Sequence, residues 1–150
     1  MKNRSALLAV AICLGISPFG AGEVLGQEMA HETDAAAIVA QSDLAWVEII
    51  PGVEFAAVRG DWAEGAHAKF ARFAPGMVAP LHTHTHAYHG VVVRGEFTNP
   101  YADGEGVVMG PGDYWYVPGG MAHGNECLSD EPCVFFTYGD ALWDVEMVED

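Results

Sequence analysis

The sequence predicts an all-β domain, a sandwich or barrel of short strands, and two observations predict it. From residue 45 onward, short runs rich in β-branched and aromatic residues recur between Gly, Pro and Asp. They are WVEII (46–50), VEFAAVRG (53–60), HAKFARF (67–73), YHGVVVRGEF (88–97), GVVMG (106–110), DYWYV (113–117), CVFFTYG (133–139) and LWDVEMV (142–148). Over the same span no helical periodicity is sustained, so the runs read as strands separated by turns and not as alternating βαβ units. Strands of this length and spacing bury their apolar faces by closing into a sandwich or barrel.

The chain divides into three segments. In residues 1–26, Lys2 and Arg4 precede an apolar run (6–16), which is followed by the breaker Ser17-Pro18 and small residues, the order of a secretory signal peptide. That run is shorter than the ~20 residues a bilayer span requires, and no later stretch is long and apolar enough to replace it. The expectation is an exported protein, secreted or periplasmic, without a membrane partner. Small residues at 20–22 and 24–26 both suit cleavage, which is expected before Gln27. Cys13 lacks the flanking residues of a lipid-anchor signal. Residues 27–44 are polar and alanine-rich and read as a flexible lead-in with a short helix near 34–41. Residues 45–150 form the barrel, and the 124 residues left after cleavage suit one domain with one core.

Charge narrows the partners. Removing Lys2, Arg4 and Glu23 leaves 4 basic and 20 acidic residues, a formal charge of −16. Such a chain repels nucleic acid and anionic lipid, and the plain reading of its acidity is solubility. The large apolar residues Phe70, Phe73, Val91, Val93, Trp115, Phe135, Phe136 and Trp143 are assigned to the core or to sheet packing, since a barrel of this size is filled by side chains. Cys127 and Cys133 bracket a Ser-Asp-Glu-Pro turn. In an oxidising compartment the pair is expected to close as a disulfide, because its spacing is not that of a zinc ribbon or finger.

Four of the seven histidines, His82, His84, His86 and His89, fall within eight positions. On a strand, residues two apart face the same way, so His82 and His84 can converge on one ion. Alternation adds His86 to that face if the strand stays extended, and it turns His89 away from Tyr88. His31 and His67 lie in no motif and read as surface residues.

Wider spacing carries a family resemblance. From Gly76 the chain reads Gly, five residues, His82, one residue, His84, with a closing Gly95; from Gly112 it reads Gly, five residues, Pro118, one residue, Gly120, two residues, His123. These stretches resemble the two signature motifs of the cupin family, directly over residues 76–127 and through the strand pattern over 45–148. The resemblance implies a cupin-type double-stranded β-helix, a jelly-roll barrel whose mouth holds one transition metal, with His82, His84 and His123 as its ligands. Cupins commonly pair through sheet edges, so it also implies a homodimer. Gly95 and Gly112 would supply positive φ in turns, and Pro118 would sit at a strand boundary where no ladder donor is needed.

The chain departs from the family at the glutamate of the first motif. Counting back from Gly95 that position falls on Tyr88, and counting forward from His84 it falls on His89. The asparagine of the second motif falls on Cys127, with Asn125 two residues earlier. A fourth ligand therefore has four readings: none, His86, His89, or Tyr88 as a phenolate. Three histidines alone is the favoured set, because cupins that cleave diketones or oxidise thiols use a neutral three-histidine site and this chain looks like them at the metal. Tyr88 is then a catalytic hydrogen-bond donor beside the metal, since a free pKa of about 10 makes its phenolate costly.

Two functions follow from different classes. The first is a mononuclear metal-dependent oxygenase acting on a small organic anion of the diketone, thiol or phenolic class, with Fe placed ahead of Mn, Zn, Ni and Cu. A neutral ligand set leaves the ion its full charge and so favours an anionic substrate. The alternative is a non-catalytic periplasmic protein that binds metal or a small ligand, with His86 and His89 as additional donors.

Overall fold

A computed structural model of the chain describes residues 36–101, 104 and 106–148. The expected signal segment, Cys13, His31 and the first part of the lead-in lie outside the described residues. Within the rest of the lead-in the expected helix is absent. Residues 36–40 are irregular and lead into a single 3-10 turn at Gln41–Asp43. Helices of this length are marginal unless tertiary contact holds them, and Ile38, the largest apolar side chain there, is 99% exposed.

The strands, in chain order, are β1 (Val47–Ile50), β2 (Val53–Gly60), β3 (His67–Phe73), β4 (Val78–Thr83), β5 (Tyr88–Arg94), β6 (Phe97–Thr98), β7 (Val108–Met109), β8 (Tyr114–Val117), β9 (His123–Cys127), β10 (Cys133–Gly139) and β11 (Glu146–Met147). They form two antiparallel sheets, ordered β1-β2-β3-β10-β5-β8 and β11-β4-β9-β6-β7. From β3 to β6, and again from β7 to β11, each connection carries the chain from one sheet to the other. This is a jelly-roll barrel, as expected. The run 142–148 is shorter as a strand than expected. Only Glu146–Met147 pairs, with Thr83 and His82 of β4, and residues 140–145 leave the ladder.

Strand parity decides which side chains fill the barrel. On β3 the buried positions are His67, Lys69, Ala71 and Phe73, alternating with half-buried ones; on β5 they are Tyr88, Gly90 and Val92. Phe73, Phe97, Trp115 and Phe135 meet in the centre, with ring centroids 4.6 Å apart for Phe97–Phe135, 5.1 Å for Phe73–Phe135 and 5.4 Å for Phe97–Trp115. Each buried ring stabilises the fold by roughly 1.5–3 kcal/mol relative to exposure. Phe70 and Phe136 lie on the other face, where they pack across strands at 5.5 Å beside half-buried Val91. Val93 belongs to neither group. The parity that points Val92 inward turns Val93 out, and it is 47% exposed.

Turns follow the sequence. Gly95 and Gly112 have φ of +86° and +96°, which a side-chain-bearing residue rarely adopts. Pro118 follows the last residue of β8. A disulfide joins Cys127 at the end of β9 to Cys133 at the start of β10.

Candidate metal centre

Two local features bring the histidines together. β4 and β9 pair antiparallel, but their register shifts between Ala79 and His82, and past that shift His82 lies directly opposite His123. The irregularity falls at Pro80-Leu81, and proline supplies no N–H to a ladder. His84 lies just beyond β4. Its carbonyl accepts the N–H of Gly120 at 2.8 Å, which ties the first histidine stretch to the second glycine-rich one.

All three rings are buried, and each is oriented by a backbone carbonyl. His82 Nδ1–H donates to Pro80 O at 2.8 Å, His123 Nδ1–H to Met121 O at 3.0 Å, and His84 Nδ1–H to Asp144 O. With the proton fixed on Nδ1, each ring presents the Nε2 lone pair as its ligand atom. The three ligand atoms lie within 4.8 Å of one another, close enough to hold one metal ion. Burial pushes the His84 pKa down to about 4 against the pull of the Asp144 carbonyl, with charge on His82, His123 and Lys69 adding to the depression. Burial also lowers that of His123. Neutral imidazoles are the form a metal binds. His84 Nε2 is buried without a hydrogen-bond partner. Such an orphaned lone pair, aimed among two other imidazoles, is what a metal ion would satisfy, so the residues present fit the group that the resemblance implies.

Tyr88 opens β5 and faces the same interior. Its hydroxyl donates to His123 Nε2 at 3.1 Å. Burial raises its pKa to about 12, opposed by the polar groups of Trp115, Asn99 and Asn125, which favours the protonated phenol as a hydrogen-bond donor. His86 does not join the cluster. β4 ends at Thr83 and the chain turns, leaving His86 exposed, so the alternation that placed it beside His82 and His84 stops short of it. His89 points to the outer face, as parity required, and shares a 2.7 Å hydrogen bond with Tyr114 Oη. Neither is a fourth ligand in this arrangement. Among the described residues, no carboxylate accompanies the three histidines.

The sequence did not place several residues of this region beside the histidines. Trp143 lies in the 140–145 segment and packs its ring against His84 (4.0 Å) and Tyr88 (4.8 Å). Asn125 donates its side-chain amide to Asn99 Oδ1 within the buried interior. His67, expected at the surface, is 3% exposed, and Lys69 is completely buried. The alternation of HAKFARF, with Ala71 and Phe73 on one face, was the available signal for both.

Two antiparallel sheets rolled around three converging imidazoles define a small cupin with a candidate three-histidine metal centre. Residues 34–142 match the ChrR Cupin-like domain, and the chain belongs to that family. It is 31% identical over 105 residues to the DNA damage-repair/toleration protein DRT102 of Arabidopsis thaliana. That match covers 69% of this chain but only 32% of the Arabidopsis protein, so the chain spans about a third of that relative's length. Among solved structures, the polyketide cyclase RemF of Streptomyces resistomycificus superposes with a TM-score of 0.66 at 20% identity, covering 77% of this chain and 87% of RemF. KdgF of Halomonas sp. superposes with a TM-score of 0.60 at 24% identity, covering 71% and 94%. These two likenesses concern the fold.

Proposed function

We propose that this chain is an exported, mononuclear metal-dependent oxygenase acting on a small organic anion of the diketone, thiol or phenolic class, with iron as its metal ahead of Mn, Zn, Ni and Cu. The observation that carries the reading is the orphaned Nε2 of His84 among imidazoles whose protons are all fixed on Nδ1. His82, His84 and His123 would hold the ion. Bound there, a redox-active divalent ion supplies undiminished positive charge for an anionic ligand and electrons for reaction with O₂.

The chain's own residues do the rest. Tyr88 keeps its proton and holds it 3.1 Å from His123 Nε2, so when that lone pair is engaged elsewhere the hydroxyl is free to donate to the bound anion. Trp143, Phe55 and Phe73 give the surroundings a low dielectric, which strengthens that donation. A non-catalytic binder is the alternative that the missing glutamate also suits; His86, exposed in the turn, and His89, on the outer face, lie apart from the three histidines and give it no additional donors there.

The test is oxygen uptake by the Fe²⁺-loaded full chain with a panel of diketones, thiols, flavonols and phenols. One class should be consumed, and Tyr88→Phe should lower kcat by about 10²-fold with metal content unchanged. No uptake with any class would sink the oxygenase reading. Export is supported by the disulfide, which suits an oxidising compartment, and N-terminal sequencing of protein from its own cells should begin near Gln27. The homodimer that cupins commonly form would use a sheet edge, and β1 exposes Val47, Ile49 and Ile50 there; light scattering would measure it.

A further inference from the structure

Lys69 is a lysine with no exposed surface. It sits mid-strand on β3, directly opposite Thr137 of β10, and both side chains face into the barrel. Its ammonium donates to His67 Nε2 at 3.0 Å. His67 is set to accept, because its Nδ1–H is held by the carbonyls of Gly65 (2.9 Å) and Ala141 (3.1 Å). The Trp143 ring lies 3.6 Å from Nζ and the Phe55 ring 4.9 Å. These contacts use one N–H and two aromatic faces. Among the described residues no carboxylate pairs with Lys69, and no Asp or Glu is buried. Proteins pair buried charges because an isolated one is costly.

Thr137 is 1% exposed, and its Oγ1 has no hydrogen-bond partner. Lys69, Thr137, Tyr88 and Asn125 line one internal cavity of about 30 Å³, walled by Phe135 and Trp143. A space of that size holds about two water-sized groups, the bulk of a carboxylate head. Tyr88, which lines the cavity, hydrogen-bonds His123 Nε2 at 3.1 Å, so the cavity adjoins the metal centre through Tyr88, with the Trp143 ring between Lys69 and His84.

We propose that Lys69 and Thr137 form an anion subsite that receives an anionic oxygen, carboxylate or enolate, of a small organic molecule whose other end lies toward the three histidines. The last clause rests on the metal-centre reading; the subsite itself does not. Three neutral imidazoles, a divalent ion and an ammonium would carry positive charge with no counter-charge in the barrel, and an anion between them supplies it. Burial already lowers the Lys69 pKa to about 7, so a small stabilisation of its charged form is enough to fix the ammonium.

The chain has two lysines, Lys2 and Lys69, so ¹³C-lysine labelling of the full chain isolates the group. Acetate titrated into metal-free protein, with chloride at equal ionic strength as control, should shift the Lys69 ¹³Cε resonance saturably. Acetate affinity should fall at least tenfold in Lys69→Met and about threefold in Thr137→Val. With Co²⁺ loaded, wild-type affinity should rise and Lys69→Met should lose the same factor. An acetate response no larger than that to chloride would overturn the subsite, as would equal binding by Lys69→Met. If Lys69→Met does not fold, the wild-type resonance decides the matter. Failure to bind Co²⁺ alongside a successful metal-free titration would instead overturn the metal reading and leave the subsite standing.

Discussion

Acidifying the metal-free protein from pH 7 to pH 4.5 should remove about 2.5 kcal/mol of folding stability through His84 alone. In an unfolded chain the imidazole titrates near 6.5. In the folded protein burial holds His84 at about 4, outweighing the Asp144 carbonyl that accepts its Nδ1–H. Between those values the unfolded chain binds a proton that the folded chain does not. Stability is therefore complete above about 6.5 and falls as the pH drops, levelling only below the folded-state pKa. His123 is depressed by burial as well and adds loss of the same sign. The carboxylates with lowered values, Glu54 and Asp144, lose their contribution mainly below this window. Urea unfolding of EDTA-treated protein, followed by tryptophan fluorescence, should show the midpoint falling by about 1 M for a slope near 2 kcal/mol per M. In His84→Gln, which has no titrating ring at that position, the fall between the two pH values should be smaller by about 2.5 kcal/mol. Parallel pH profiles for wild type and variant would refute the reasoning, because His84 would then not be held neutral by its surroundings.

His82→Ala, His84→Ala and His123→Ala should each weaken Co²⁺ binding at least 100-fold by calorimetry, whereas His86→Ala and His89→Ala should change it less than about tenfold; equal losses at all five positions would mean that the site lies elsewhere. Reducing the Cys127–Cys133 disulfide, whose partners are 6 residues apart, should cost about 2 kcal/mol from the small loop it closes. A thermal scan with and without reductant should register this as a fall in Tm of roughly 5–10 °C, and an unchanged Tm would count against it.

Two histidines of the candidate metal centre were legible locally, whereas His123, some forty residues on, was placed beside them only by the family resemblance. His82 and His84 share a face by strand parity, and fixed glycine spacings set the turns around them. The disulfide was legible for a similar reason, as two cysteines flank a turn. What escaped depends on where a strand ends or on what packs over it. His86 was excluded by β4 stopping at Thr83, and nothing in His-Thr-His-Thr-His marks that point. His67 and Lys69 have inward parity on β3, but a lone histidine without a motif reads as surface, and lysine is almost never buried without a partner. Their surroundings come from distant stretches: Thr137 on β10 and Ala141 and Trp143 beyond it, some seventy residues on. The lead-in helix failed for the opposite reason, since an alanine-rich stretch has helical propensity but Ile38 finds nothing to pack against.

The missing glutamate alters the electrostatics of the whole interior. Where the family pattern places a carboxylate, this chain has Tyr88, whose pKa burial raises, and among the described residues the sole buried one with a cationic side chain besides histidine is Lys69. The chain's net charge is −15, and among the described residues none of the acidic ones is buried. Their repulsion of an incoming anion is screened over about 8 Å at physiological ionic strength. Inside the barrel that screening is absent and interactions are several times stronger than in water. An anion that enters thus leaves a weakly repelling surface for an interior in which, among the described residues, no acidic side chain is buried. A carboxylate at position 88 would oppose that transfer, and a neutral phenol there does not, which is the electrostatic basis of the anion subsite proposed at Lys69 and Thr137.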